Sequence, residues 1–434
     1  MLEITLEELY TIYSKNPLVC TDTRKILPGC LFFALKGDNF DGNTFAEKAL
    51  ESGAAYAVVD DFSVVKDSRF LLVENVLTTL QELAKHHRST WDIPVVALTG
   101  SNGKTTTKEL IAAVLAKKYR INATVGNLNN HIGVPLTLLS IQPDDNTIAV
   151  IEMGANHQQE IAFLCGIAQP THGLITNIGK AHLEGFGGIA GVKKGKGELY
   201  TYLSKKKRVL FVNAQDDTLM EMASKKHAFG EIIFYRSASS EVNPTLIEET
   251  PFVIYENQEK QAIVTHLPGR HNFDNICAAL AIGHYFEVPG EDAHRAISDY
   301  RPDNNRSQVI EKGSNTITLD AYNANPSSMR AAIDHFTRSE APRKMVILGD
   351  MLELGDEAAA EHLAIGQLVA EGKFDVVILT GPLMQHALPA LPKAYYIPDK
   401  FSLHNWIMDH PQENTHILIK GSRGMGLEST LQFL

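Results

Sequence analysis

The feature that most constrains this chain is the stretch 95–109, VVALTGSNGKTTTKE. Val95, Val96, Ala97 and Leu98 form a short apolar run rich in β-branched residues, the pattern of a buried strand. Gly100 and Gly103 break that run, and from Lys104 onward Leu110, Ile111, Val114 and Leu115 recur at helical spacing. Strand, glycine turn and helix start together make a cradle for phosphate. Glycines let the backbone approach an anion closely, free N–H groups at the helix start point at it, and the helix dipole favours negative charge. In this reading Gly100, Ser101, Asn102 and Gly103 form the cradle, Lys104 meets the β- and γ-phosphates, and Thr105 or Thr106 holds Mg2+. The two glycines stand closer together than in the common phosphate loop, and the turn alone is an ordinary glycine-rich bend. The strand before it, the helix after it and the threonine triplet carry the nucleotide reading.

A length of 434 residues leaves room for more than one domain, and 44% hydrophobic content is ample for buried cores. The net charge of −11 argues against broad nucleic-acid or membrane-surface binding, so positive charge for an anionic ligand must be concentrated locally. Cys20, Cys30, Cys165 and Cys277 are scattered with no CxxC, which suits a reducing compartment and neither a disulfide scaffold nor a zinc site. The opening MLEITLEELY has no basic-then-apolar signal region, and no apolar run approaches the ~20 residues of a membrane span. The expected setting is cytoplasmic.

Alternating strand and helix patterns predict an α/β chain of three domains. Residues 1–92 read as a small α/β domain: a strand LFFAL after a Pro-Gly turn, a helix from Phe45, a strand AYAVV, and a helix with Leu77, Leu80 and Leu83 on one face. Residues 93–302 read as a doubly wound, mainly parallel sheet with strands at 95–98, 147–152, 171–179 and 208–213. Within it, 230–267 reads as a small antiparallel excursion, and a helix begins near Asn272. Residues 303–434 read as a Rossmann-like α/β domain with strands at 316–322, 344–350, 375–381 and 415–421. No GxGxxG follows any of these, so NAD binding is not indicated.

Ligands of doubly wound sheets bind outside the carboxyl ends of the strands. Glu152 ends an apolar strand near the phosphate loop and supplies the hard oxygen ligand that suits Mg2+. His182 follows the next strand end. Lys193, Lys194 and Lys196 form a basic cluster able to counter substrate phosphates. Arg306 and Asp320 flank the start of the last domain, where an arginine reaches a γ-phosphate only when domains close. Taken alone, the polar residues around Thr23, Arg24 and Lys36 are ordinary loop residues.

In this order, TGSNGKTTTKE, Glu152 in IEMG, NIGKAHLEGFG, KGKGELY, GRHNFDN, Arg306 and LDAYNANPSSM resemble the Mur ligases, ATP-dependent amide ligases of bacterial cell-wall synthesis related to folylpolyglutamate synthase. The resemblance covers essentially the whole chain. DAYNANPSSM, GDMLELGDEA and KGSRGMGLE are most similar to the branch that joins D-alanyl-D-alanine to UDP-N-acetylmuramoyl-tripeptide. It implies Lys104 on ATP phosphates, Thr105 and Glu152 at one Mg2+, His182 at a second, and Lys196 as a carbamylated lysine. It further implies Asn272 and Asn275 beside the nucleotide, with Arg306 and Asp320 completing the ATP site. Thr23, Arg24, Lys36, Asn129, Asn130, Asn323 and Asn325 fall on the substrate side, and the enzyme is expected to act as a monomer. The approach to Arg306, RPDNNRS, departs from many relatives, which carry glycine just before the arginine. The competing readings are a sister ligase of the MurE type, a folylpolyglutamate synthase-like ligase, a nucleotide-binding scaffold and a phosphate-loop kinase. The shortened glycine spacing and the last domain disfavour the kinase, and the YNANP and ELGDEA segments disfavour the sister ligases.

Overall fold

The computed structural model describes residues 3–226, 228–303 and 305–434. Three α/β units follow one another along the chain, each built on a sheet that is parallel throughout or nearly so. The first sheet has the order Val19–Cys20, Leu31–Phe33, Tyr56–Val59 and Phe70–Leu72, every pair parallel. Leu31 and Phe33 face one core while Phe32 faces the other, the two-sided burial that parallel sheets require.

The central sheet has six strands in the order Glu231–Tyr235, Val209–Asn213, His172–Ile175, Val95–Thr99, Thr147–Glu152 and Arg120–Ala123, again all parallel. Alternation along its middle strand sends Val95 and Ala97 into one apolar core and Val96 and Leu98 into the other. The segment 230–267 differs from the sequence expectation. Its first run, Glu231–Tyr235, extends the central sheet in parallel, and only Thr245–Glu248, Ile254–Glu256 and Ala262–Val264 form the separate antiparallel sheet. The reason is burial: Tyr235 is packed into the core beneath that edge, so this run has a face to cover that a solvated excursion lacks.

The last sheet has the order Gln308–Lys312, Asn315–Asp320, His416–Lys420, Lys344–Gly349, Val376–Thr380 and Tyr395–Ile397. Two of these strands were not read from the sequence. Gln308–Lys312 is an antiparallel edge whose residues are mostly half-buried, and Tyr395–Ile397 is only three residues long. Edge strands are short and polar, which weakens their sequence pattern. Among the described residues no helix is long and apolar enough to cross a membrane, and all four cysteines are free and buried.

The first unit is fixed to the central one by polar contacts at the helix Val76–Ser89. Arg88 is buried and donates to the carbonyls of Ala168 (3.0 Å), Gln169 (2.9 Å) and Trp91 (3.2 Å). His87 Nε2 lies 2.9 Å from the Ile141 carbonyl, and Tyr13 donates to the Leu139 carbonyl at 2.6 Å. Arg88→Ala strands three carbonyls and is expected to destabilise the protein by about 3 kcal/mol. Thermal melting checks this, and Arg88→Lys should recover only part of the loss because an ammonium lacks the planar fork.

Candidate active site

The strand Val95–Thr99 ends at the phosphate loop, and the helix Lys104–Leu115 starts immediately after it. Two loop glycines are required by geometry. Gly100 (φ +151°) lies so close to Thr176 that a Cβ would overlap its hydroxyl, and Gly103 (φ +77°) is left-handed and packed against the Asn275 amide. The loop is held from the neighbouring strand end. Ser101 N–H donates to the Asn177 carbonyl at 3.0 Å and Asn102 N–H to Asn177 Oδ1 at 3.1 Å, while the Thr176 hydroxyl donates to the Asn102 carbonyl at 2.6 Å.

Lys104 folds back over this loop and donates to the carbonyls of Gly100 (2.9 Å) and Ser101 (3.3 Å). Burial pushes its ammonium below the usual lysine range, with Glu152 opposing and Arg306 adding to the shift. Glu152 is buried and accepts at both oxygens, from the Thr105 hydroxyl at 2.9 Å and from Asn129 Nδ2 at 2.7 Å. Beneath them lies Lys196, buried at 1% exposure, with Nζ 3.1 Å from the Ala155 carbonyl and 5.2 Å from the Phe186 ring centre. Burial and then the charge of Lys104 drive its amine well below the usual range. Its two neighbours differ: Lys193 is engaged by Glu221, and Lys194 is exposed.

The last unit supplies the opposite wall. Arg306 sits between two left-handed residues, Asn305 (φ 57°) and Ser307 (φ 50°), with its guanidinium 3.6 Å over the Tyr322 ring. Asn304, within the divergent approach loop, lies outside the described residues. Asp320 is paired with buried Lys420 at 2.5 Å; burial raises the carboxyl's pKa, but the Lys420 charge outweighs this and holds it below the usual range. Asn325 caps the helix Pro326–Arg338 and donates to Asn102 Oδ1 at 2.8 Å, a direct link from the last unit to the phosphate loop.

These elements enclose one cavity of about 1160 Å³. Ser101, Asn102, Gly103, Lys104, Thr106, Glu152, His182, Asn272, Asn275, Arg306 and Asp320 line it, as do Asn129, Asn130, Asn323 and Asn325. Gly100, Thr105 and Lys196 are not among the lining residues, though Thr105 and Lys196 bond to Glu152 and Ala155, which are. Thr23, Arg24 and Lys36 are not brought into this cavity. Arg24 is held by Asp22 in its own loop at 2.7 Å, and Lys36 by Asp60 at 3.0 Å. Sequence reasoning missed Thr176, Asn177 and Glu353. The first two were legible only as the polar end of a strand, and Glu353 depends on a contact between units.

Mg2+ favours one or two carboxylates together with phosphate and water oxygens, so a closed protein cage is not needed. The Thr105 hydroxyl and the Glu152 carboxylate, 2.9 Å apart, fit that requirement. Among the described residues no group of three or more His, Cys, Asp and Glu side chains could hold a metal by itself. A strand–loop–helix cradle with a half-buried lysine, faced by an arginine from a second unit, defines a nucleotide-dependent transferase or ligase site.

Family models for the Mur ligase family catalytic domain, the Mur ligase middle domain and the Mur ligase glutamate ligase domain match residues 18–88, 98–283 and 305–423. The chain belongs to the Mur ligase family. It is 37% identical to the UDP-N-acetylmuramoyl-tripeptide–D-alanyl-D-alanine ligase of Bacillus subtilis, over 96% of this chain and 92% of that protein. It is 34% identical to the ligase of the same name from Escherichia coli, over 100% and 99%. Its fold matches a crystal structure of MurF from Acinetobacter baumannii with a TM-score of 0.84 and 32% identity, over 95% of this chain and 92% of that one. It also matches MurF ligase from Thermotoga maritima in complex with ADP, with a TM-score of 0.81 and 25% identity, over 96% of each chain.

Proposed function

We propose that this enzyme uses ATP to join D-alanyl-D-alanine to UDP-N-acetylmuramoyl-tripeptide in peptidoglycan precursor synthesis. The observation that carries the reading is the meeting of Lys104 and Arg306, from separate units, on one cavity. Similarity to ligases of this name over nearly the whole chain supports the particular substrates. The proposed domain limits are 1–92 for the UDP-substrate domain, 93–302 for the ATP-binding domain and 303–434 for the ligase domain. All the proposed site residues are drawn from a single chain, in keeping with a monomer, and the proposed setting is cytoplasmic.

In this reading a tripeptide carboxylate oxygen attacks the γ-phosphorus, the bond to the bridging oxygen breaks, and ADP leaves. The dipeptide amine then attacks the acyl carbon, loses a proton and expels phosphate, forming the amide. Lys104 and the loop N–H groups neutralise the transferring phosphoryl group, and Arg306 adds a second cation from the opposite wall. Thr105 and Glu152 would hold one Mg2+, and His182 with a carbamylated Lys196 a second; such ions supply charge neutralisation at phosphate oxygens. Asn272 and Asn275 lie toward the nucleotide, and Asn129, Asn130, Asn323 and Asn325 toward the acyl and amine substrates. Thr23, Arg24 and Lys36 serve the UDP moiety in the first domain, away from the chemistry. The test is to label the tripeptide carboxylate with ¹⁸O. One label is expected in the released phosphate, and unlabelled phosphate would overturn the acyl-phosphate route. An acceptor panel separates this ligase from its sisters by its preference for D-alanyl-D-alanine.

A further inference from the structure

His182 and Glu353 face each other across the boundary between the central and last units. His182 Nδ1 is 2.5 Å from Glu353 Oε2. The two atoms face each other without meeting hydrogen-bond geometry, and among the described residues the buried Nδ1 has no hydrogen-bond partner. Both residues adopt left-handed backbone conformations, with φ of 52° and 63°, which side-chain-bearing residues seldom keep unless the surroundings enforce them. The enforcement is visible. The Glu353 carbonyl accepts from Glu184 N–H at 3.3 Å, and Gly355 (φ +55°) packs against Glu184. On the other side of the loop, Leu352 N–H donates to Ser422 at 2.9 Å and Met351 N–H to His362 at 3.0 Å. The ELGDEA segment therefore spends its geometry on presenting one carboxylate to one histidine.

We infer that Glu353 is a positioning residue that fixes the tautomer and direction of His182, so that this histidine becomes a competent metal ligand only when the last unit is docked. The inference rests on the ligase reading above. In the neutral imidazole a carboxylate oxygen facing Nδ1 favours the tautomer with its proton there, because two lone pairs would repel. Nδ1–H toward Glu353 leaves the Nε2 lone pair for the cavity that His182 lines. Carboxylate, histidine and metal in series is a recurrent way of raising ligand basicity and holding a ring in place, and loss of the outer partner typically weakens metal affinity about 10- to 100-fold. Here the outer partner belongs to a different unit from the ligand. Further contacts hold the same boundary: Lys180 N–H donates to the Ser327 hydroxyl at 3.0 Å, and the Lys180 ammonium pairs with Glu361. Docking and readiness of the second metal site are thereby coupled.

The test uses Mn2+ in place of Mg2+, the non-hydrolysable analogue AMP-PNP and bicarbonate-containing buffer, with free Mn2+ read by electron paramagnetic resonance. Wild-type protein is expected to take up two ions per chain. Glu353→Ala should weaken the second ion about 10- to 100-fold and leave the first, at Thr105 and Glu152, within about twofold. Glu353→Gln should keep most of the affinity, since its amide oxygen still accepts from Nδ1–H. Glu353→Asp, too short to reach, should behave like the alanine variant. Two unchanged ions in cooperatively melting Glu353→Ala, or uptake of one ion by wild type, would overturn the inference. Failure of wild type to bind AMP-PNP at all would overturn the ligase reading itself, and this inference with it.

Discussion

Lys104→Ala is expected to lower the rate of ligation at least about a hundredfold while leaving the protein folded. The side chain is a half-buried cation whose two hydrogen bonds go to carbonyls of the very loop it guards. Burial makes that charge costly in the absence of an anion, and the site tolerates it because an anion is what the site is for. When phosphate enters, the ammonium can exchange carbonyl partners for phosphate oxygens at little reorganisation. Removing one preorganised donor from developing charge typically costs about 3–4 kcal/mol of transition-state stabilisation. The fold should survive, because the loop is independently tied to Thr176 and Asn177. Steady-state kinetics and circular dichroism check both halves of the expectation. Near-normal turnover in a folded variant would remove Lys104 from the phosphate site.

Lys196→Ala is expected to lose activity to a comparable degree and to recover part of it with added acetate or formate. A free ammonium beside a metal ion repels it, whereas a carbamate formed with CO2 is an anion with two oxygen donors. Carbamylation requires a neutral amine. Burial and the nearby Lys104 charge drive the Lys196 amine toward that state. Exposed Lys194 and Glu221-paired Lys193 have no such environment. A truncated side chain leaves a space that a small carboxylate can enter, supplying the missing oxygens. Full activity in the unrescued variant would take Lys196 out of the site. Loss without any rescue would argue that the lysine serves packing against Phe186 instead.

The parts of this molecule that were legible in the sequence are those whose cause is local. The phosphate loop could be read because strand, glycines and helix are contiguous, and the left-handed Gly103 sits at the turn its position demanded. Glu152 could be read because a carboxylate ending an apolar strand stands out. Lys196 could be singled out only by resemblance, since its environment combines the nearby Phe186 ring with the carbonyl of Ala155, set far from it in the sequence. The run Glu231–Tyr235, EIIFY, is plainly strand-like, but it was misread because the sheet it joins is set by Tyr235 entering a distant core, which the local pattern does not show. Glu353 was out of reach for the same reason at larger scale: its meaning is a contact between two units.

The central claim is that ATP cleavage here is coupled to joining two particular substrates. ADP release measured with UDP-N-acetylmuramoyl-tripeptide, with and without D-alanyl-D-alanine, tests it most directly. Sustained release is expected only when both are present, in step with a product whose mass equals the two substrates less one water. Sustained ADP release that ignores the dipeptide, or none with both substrates present, would contradict it.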